Sequence, residues 1–137
     1  MSKRSYFLDA NVIISGLLWN GNERELLLLG ENQKIIALTS AYVLKQVEDV
    51  LHRMDFDDIK ITEFLVYLRS FTQLIDVSKD DAMKYWDVLN DKTDIPILAA
   101  AIASKCILVT GDKELLEKGS SLIEVINAKK ALENEKL

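Results

Sequence analysis

One cysteine, one histidine and one proline among 137 residues remove several classes of protein before any motif is sought. A single thiol closes no disulfide within the chain and builds no cysteine-rich zinc site. Cys106 falls in the apolar run Cys106-Ile107-Leu108-Val109, where a buried thiol is expected. His52 is the sole imidazole, on the polar side of its helix, so zinc finds no ligand set. Five glycines, no repeat and no low-complexity tract exclude fibrous and disordered chains. The longest apolar stretches, such as Ile95 to Ala103, fall far short of a membrane span. The basic start Ser2-Lys3-Arg4 reaches Asp9 too soon for a signal peptide, so a cytoplasmic protein away from the membrane is expected. Positive charge is also short: 17 basic against 22 acidic residues leave a net charge of −5, which excludes a grip on nucleic acid by bulk charge.

What remains is 49% hydrophobic residues in a length that suits one domain with a continuous core, residues 1–137. Strands and helices alternate along it. Ser5 to Leu8 reads as a buried strand, followed by a helix from Val12 to about Trp19 and another from Glu23 to Leu29 that Gly30 closes. Lys34 to Leu38 is a second strand, and Thr39-Ser40 caps a helix to about Met54. Asp57 to Phe71 is helical, Leu74 to Val77 a strand, and Asp80 to Leu89 a helix. Asp94-Ile95-Pro96 opens a helix whose body, Ile97 to Ala103, is rich in small residues, with proline in the tolerated first turn. Cys106 to Thr110 is the fourth strand, Lys113 to Lys118 a short helix, Ile123 to Ile126 an edge strand and Ala128 to Leu137 a terminal helix. This alternation calls for an α/β fold: a three-layer sandwich with a central parallel sheet of about five short strands and helices on both faces.

Four acids stand where apolar segments end or border an apolar face: Asp9, Glu48, Asp94 and Asp112. In an open parallel sheet, ligands bind at the edge lined by the strand C-termini. Asp9 directly follows the first strand, and Asp112 follows the fourth by two residues. A helix leading into a parallel strand begins at that same edge, which is where Asp94 stands. Glu48 lies about 40° beyond Leu44 on its helix and so borders the core, yet about 12 Å along the axis from the edge. To reach the other three, that helix has to lean across the strand ends. Two carboxylates about 4 Å apart repel by about 4 kcal/mol at an effective dielectric near 20, so a cluster needs a compensating cation. Oxygen ligands without histidine or cysteine suit Mg²⁺ or Mn²⁺.

Three stretches resemble the PIN-domain family (PilT N-terminus domains), whose members are largely metal-dependent ribonucleases. They are FLDANVIISG at residues 7 to 16, the helix that carries Glu48, and DIPILAAAIASKCILVTGDKELL at residues 94 to 116. The likeness covers essentially the whole chain, and the block from Asp94 to Leu116 is its most specific part. It implies that the family's acidic quartet is Asp9, Glu48, Asp94 and Asp112, acting as metal ligands and catalytic residues, with Asn11 and Thr110 as supporting polar neighbours. It further implies two-metal hydrolysis of RNA, with Asp9 central and with products that carry a 5′-phosphate and a 3′-hydroxyl. Lys3, Arg4, Lys45, Lys92 and Lys113 are near enough in sequence to meet phosphates. One stretch departs from the pattern: Asn90-Asp91-Lys92-Thr93-Asp94-Ile95 stands where many relatives have an Arg-Asp-x-Asp-Asp-Asn-like run. A basic residue and a second acid are missing there, and Asp91 is a candidate fifth acid.

Single-domain members of this length resemble VapC-like toxins, which implies a small antitoxin partner that occupies the active-site groove and a homodimer. Leu26 to Leu29, Tyr42, Tyr67 and Trp86 are candidates for contact surface or core. Two other readings compete. A haloacid-dehalogenase-like phosphatase also begins with a strand ending in Asp-x-Asp, but Asn11 replaces its second acid and no suitably spaced Lys and acid follow Thr110. A catalytically silent PIN-like fold kept for protein binding would leave four acids at one edge with nothing to do.

Overall fold

A computed structural model of the chain describes residues 2–136. Five strands, β1 (Ser5–Leu8), β2 (Ile36–Thr39), β3 (Thr72–Leu74), β4 (Ile107–Val109) and β5 (Val125–Ile126), form one sheet in the order β3-β2-β1-β4-β5. All pairs are parallel, with Phe7 opposite both Leu38 and Leu108. Tyr6, Phe7, Leu8, Leu108 and Val109 have no exposed surface, because a parallel strand covered on both faces has no solvated side to alternate with. Eight helices among the described residues cover the sheet: α1 (Ala10–Leu18), α2 (Asn22–Glu31), α3 (Ala41–Arg53), α4 (Asp58–Arg69), α5 (Lys79–Met83), α6 (Ile95–Ser104), α7 (Lys113–Lys118) and α8 (Ala128–Glu135). The chain therefore has the three-layer α/β architecture its alternating pattern calls for.

Strand order reverses between β1 and β4. From β1 the chain winds outward through β2 to β3, then crosses back to β4 and β5 on the other side. Loops leaving neighbouring strands β1 and β4 therefore part in opposite directions and open a crevice, as at every such switch point. Right-handed crossovers place α1 to α4 over one face and α5 to α7 over the other. Alanines 99, 100 and 101 of α6 are buried and leave room for close approach to the sheet. At Gly16 the fit is tighter still: a Cβ there would lie 2.6 Å from Leu27 Cδ1 and 2.9 Å from the Glu23 carbonyl oxygen. Arg24 secures the α1–α2 bend by donating to the Gly16 and Leu17 carbonyls at 3.1 and 2.9 Å.

Element bounds differ from expectation chiefly around β3 and α5. β3 ends at Leu74, not Val77, although Ile75 N still donates to the Thr39 carbonyl. Asp76 stops the strand because its carboxylate accepts from the backbone of Ala41 and Tyr42, which anchors the start of α3. α5 ends at Met83 instead of Leu89. Beyond it the backbone closes in tight three-residue steps, Trp86 N to Met83 O and Val88 N to Tyr85 O. Lys92 Nζ then gathers the carbonyls of Trp86 and Leu89 at 2.6 and 2.7 Å, a local arrangement invisible to hydrophobic periodicity. The terminal helix ends at Glu135; Leu137 lies outside the described residues. Cys106 is a buried free thiol, and His52 stands half exposed beside Asp58, both as expected.

Candidate active site

Asp9 is the first residue past β1 and is 4% exposed, a burial that a carboxylate tolerates only with compensation. One oxygen accepts from Ala10 N at 2.7 Å, which caps α1. The other accepts from the Thr110 hydroxyl at 2.6 Å and from the Asn11 amide at 3.4 Å. Burial pushes the Asp9 carboxyl up despite these donors, and Asp112 adds to the rise. Thr110, wholly buried past the end of β4, joins two acids: its hydroxyl donates to Asp9 and accepts from Asp112 N at 3.1 Å. Asn11 performs a second tie, since its carbonyl oxygen accepts from Gly111 N at 3.2 Å. Both supporting residues thus lock the β1 and β4 loops together across the switch point.

Asp94 sits at the junction of a 3₁₀ turn, Lys92–Asp94, with α6, where a capping role is the ordinary expectation. Its side chain makes no capping bond. Capping of that turn falls to Asp91, which accepts from Thr93 N at 3.0 Å and from the Thr93 hydroxyl at 2.6 Å. With partial burial, and with Asp9, Asp91, Asp112 and Glu114 all adding negative charge nearby, the Asp94 carboxyl rises to about 7. Asp112 caps α7 by accepting from Leu115 N at 3.0 Å. Asp9, Asn11, Asp91, Asp94 and Asp112 line one open cleft of about 420 Å³ at the C-terminal edge of the sheet.

Glu48 is not brought to this cleft. Its wall on α3 consists of Gln46, Asp49, Val50 and Arg53, a stripe at helical spacing. At about 100° per residue Glu48 lies about 150° around the helix from that stripe, and its carboxylate pairs with Lys45 at 3.3 Å. The apolar face of α3 has two borders: Glu48 flanks the Leu44 side, whereas the cleft opens on the Val50 side. The required lean of α3 across the strand ends is present, since Arg53 shares the cleft with Asp9. Asp49, which also accepts an exposed ion pair from Lys45 at 3.1 Å, is the acid that the sequence reading passed over. Its signal was the 46/49/50/53 spacing, legible only once the side of the helix facing the strand ends is known.

Among the described residues, no three His, Cys, Asp or Glu side chains converge closely enough to hold a metal ion as they stand. Asp91 and Asp112 are turned toward the backbone N–H groups they cap. The donor set nevertheless fits a hard divalent cation: every candidate ligand is a carboxylate oxygen, and the half-buried Asp94 carboxylate accepts no hydrogen bond from another described residue. No helix among the described residues is long and apolar enough to cross a membrane.

A parallel α/β sandwich with carboxylates gathered at its switch point defines the class of acid-site α/β domains. Within that class a PIN-domain family model matches residues 5–114, and the chain belongs to the PIN-domain family. The uncharacterized protein MJ1680 of Methanocaldococcus jannaschii is 29% identical over 115 residues, which cover 80% of this chain and 71% of that one. Among solved structures, PAE2754 from Pyrobaculum aerophilum superposes with a TM-score of 0.70 at 17% identity, covering 98% of both chains. VapBC2 from Rickettsia felis, bound to a DNA fragment from its promoter, gives 0.70 at 19% identity over 90% of this chain and 98% of that one. FitAcB from Neisseria gonorrhoeae gives 0.61 at 18% identity with the same coverage. At these identities the superpositions speak for the fold.

Proposed function

We infer that this chain is a metal-dependent endoribonuclease that acts as the toxin of a toxin–antitoxin pair. The observation that carries the reading is geometric: Asp9, Asp91, Asp94 and Asp112 line one cleft at the switch point of a PIN fold, and among the described residues none donates to the Asp94 carboxylate. Asp9, Asp94 and Asp112 are the residues to hold Mg²⁺ or Mn²⁺, with Asp91 beside them and Asp49, in place of Glu48, on the α3 wall. When bound, such an ion supplies a water of lowered pKa and offsets charge on the leaving oxygen of a phosphodiester. The chain's own residues do the positioning. Thr110 and Asn11 hold one Asp9 oxygen and Ala10 N the other, and Asp94 presents an unengaged carboxylate to the cleft. Arg53, the one basic residue in the cleft wall, is placed to meet a substrate phosphate on a protein that otherwise repels it.

The phosphatase reading loses its footing at Asn11, whose amide is committed to Asp9 and Gly111 and has no proton to give as an acid. A silent binding module is disfavoured by the gathering of Asp9, Asp91, Asp94 and Asp112 along one cleft. The likeness to VapBC2 supports an antitoxin partner; that this partner is small and covers the cleft, and that the protein is a cytoplasmic homodimer, belong to the same proposal. Leu28 is exposed and available for such contacts, whereas Leu26 and Leu27 belong to the core.

The test is cleavage of single-stranded RNA by the purified chain with Mn²⁺ and with excess chelator. Cleavage is expected only with the metal, and Asp94→Asn is expected to remain folded and lose it. Equal cleavage by that variant, or none by the wild type in either Mg²⁺ or Mn²⁺, defeats the reading.

A further inference from the structure

A second concavity of about 320 Å³ lies on the far side of residues 93–96 from the acid cleft, within the size range of small-ligand pockets. Tyr42, Met83, Trp86, Lys79, Lys92 and Pro96 are among its lining residues. Two features separate it from an ordinary surface dent. Trp86 and Met83 are 41% and 45% exposed around it, large apolar groups that folding left in water. The pocket is also fastened to the cleft: the Tyr42 hydroxyl donates to the Thr93 carbonyl at 2.6 Å, and Thr93 itself lines the cleft. Asp94 and Ile95, adjacent in sequence, face the acid cleft and the apolar pocket respectively.

We propose that this pocket receives the nucleobase next to the phosphate held in the acid cleft, with Trp86 as its stacking platform. The inference rests on the nuclease reading for the cleft. Single-stranded RNA is recognised by bases splayed out onto aromatic side chains, and each stacked base contributes sequence-tolerant affinity. Charge favours the same occupant. Lys92 Nζ lies 4.9 Å from the centroid of the Trp86 ring and is fixed there by two carbonyls, so its charge stays at the pocket. The ion pair on α5 is Lys84–Asp81, which leaves Lys79 to face an approaching phosphate. Asp76, the acid in the lining, is spent on the Ala41 and Tyr42 backbone. Lys92 covers one face of the indole, so a base would stack on the other, and with Lys79 beside it this exposed ring suits a polyanion that carries flat aromatic rings.

Two measurements test this, one of which does not depend on cleavage. In the first, Trp86→Ala is expected to raise KM for a single-stranded RNA about tenfold, and Trp86→Phe to recover most of that affinity. In the second, Trp19→Phe leaves Trp86 as the sole indole, since the chain has two tryptophans. Its fluorescence is expected to be quenched by an oligoadenylate in chelator and unchanged by an abasic oligomer of equal length. An unaltered KM in Trp86→Ala, or equal quenching by both oligomers or by neither, overturns the subsite. Base-dependent quenching in a protein that cuts no RNA would preserve the subsite and remove the nuclease reading.

Discussion

Glu114 and Asp94 both belong to the surroundings of residues 90 to 93, and the fold treats them in opposite ways. Glu114 accepts from the backbone of Asn90 and Asp91 at 2.9 and 3.0 Å and pairs with Lys118 at 3.0 Å, which draws its carboxyl down to about 2. Asp94 has no donor, and burial and neighbouring acids raise it to about 7. One carboxylate is a latch and the other is a vacancy in the charge balance. Donors lower a carboxyl and burial among other acids raises it, and Glu114 and Asp94 show the two cases side by side.

The comparison breaks most visibly in activity. Asp94→Asn is expected to reduce metal-dependent RNA cleavage to the level of the chelated protein, whereas Glu114→Gln is expected to retain most of it. Cleavage assays on both variants decide whether the two acids differ in role or only in surroundings.

Next in size is a difference in pH response. For metal-free protein, Asp94 keeps a proton in the fold through a range where the unfolded chain has released it, between about pH 4 and 7. Stability from this group is therefore expected to fall as pH rises through that window, and Asp94→Asn should flatten the fall. Mn²⁺ competes with the same proton, so its stabilising effect on Tm should be larger at pH 8 than at pH 6. Glu114 has the reverse sign. Its contribution is present above the ordinary glutamate range and is lost as pH falls toward about 2. Thermal melts in chelator across pH 3 to 8 read both; a metal-free Tm that does not fall between pH 5 and 8 would dismiss the charge imbalance at Asp94.

A smaller effect separates two adjacent acids on α3. Asp49→Asn is expected to lower the Mn²⁺-induced rise in Tm modestly, because Asp49 lines the cleft. Glu48→Gln should leave it unchanged. The reverse ranking would return Glu48 to the site.

The smallest expected change is at Arg53. Arg53→Ala should raise KM for RNA and leave the melting temperature near its starting value, since the side chain is exposed near the end of its helix. An unchanged KM would remove it from the phosphate path.

Much of this was legible in one dimension. Alternating strand and helix patterns led to the parallel sheet, and strand ends followed by Asp9 and Asp112 led to one edge of it. Asp94 was placed by topology too, because a helix that feeds a parallel strand must start at that edge. Where the reading failed, side-chain contacts had overridden the hydrophobic pattern: β3 lies at Thr72–Leu74, ahead of the expected strand, with Asp76 given to the start of α3, and Lys92 drew in the turns after α5. Periodicity contains no information about such contacts.

Sequence alone determined the fold class, the order of elements and the three acids that meet at the switch point. Those follow from hydrophobic period and chain direction, which are local properties. Tertiary structure decided which of two neighbouring acids on α3 faces the cleft, and which of the acids near residue 90 is satisfied. The reason is geometric: a 100° step between Glu48 and Asp49 matters only once the helix has a neighbour, and a carboxylate's charge is settled by donors that come from elsewhere in the chain.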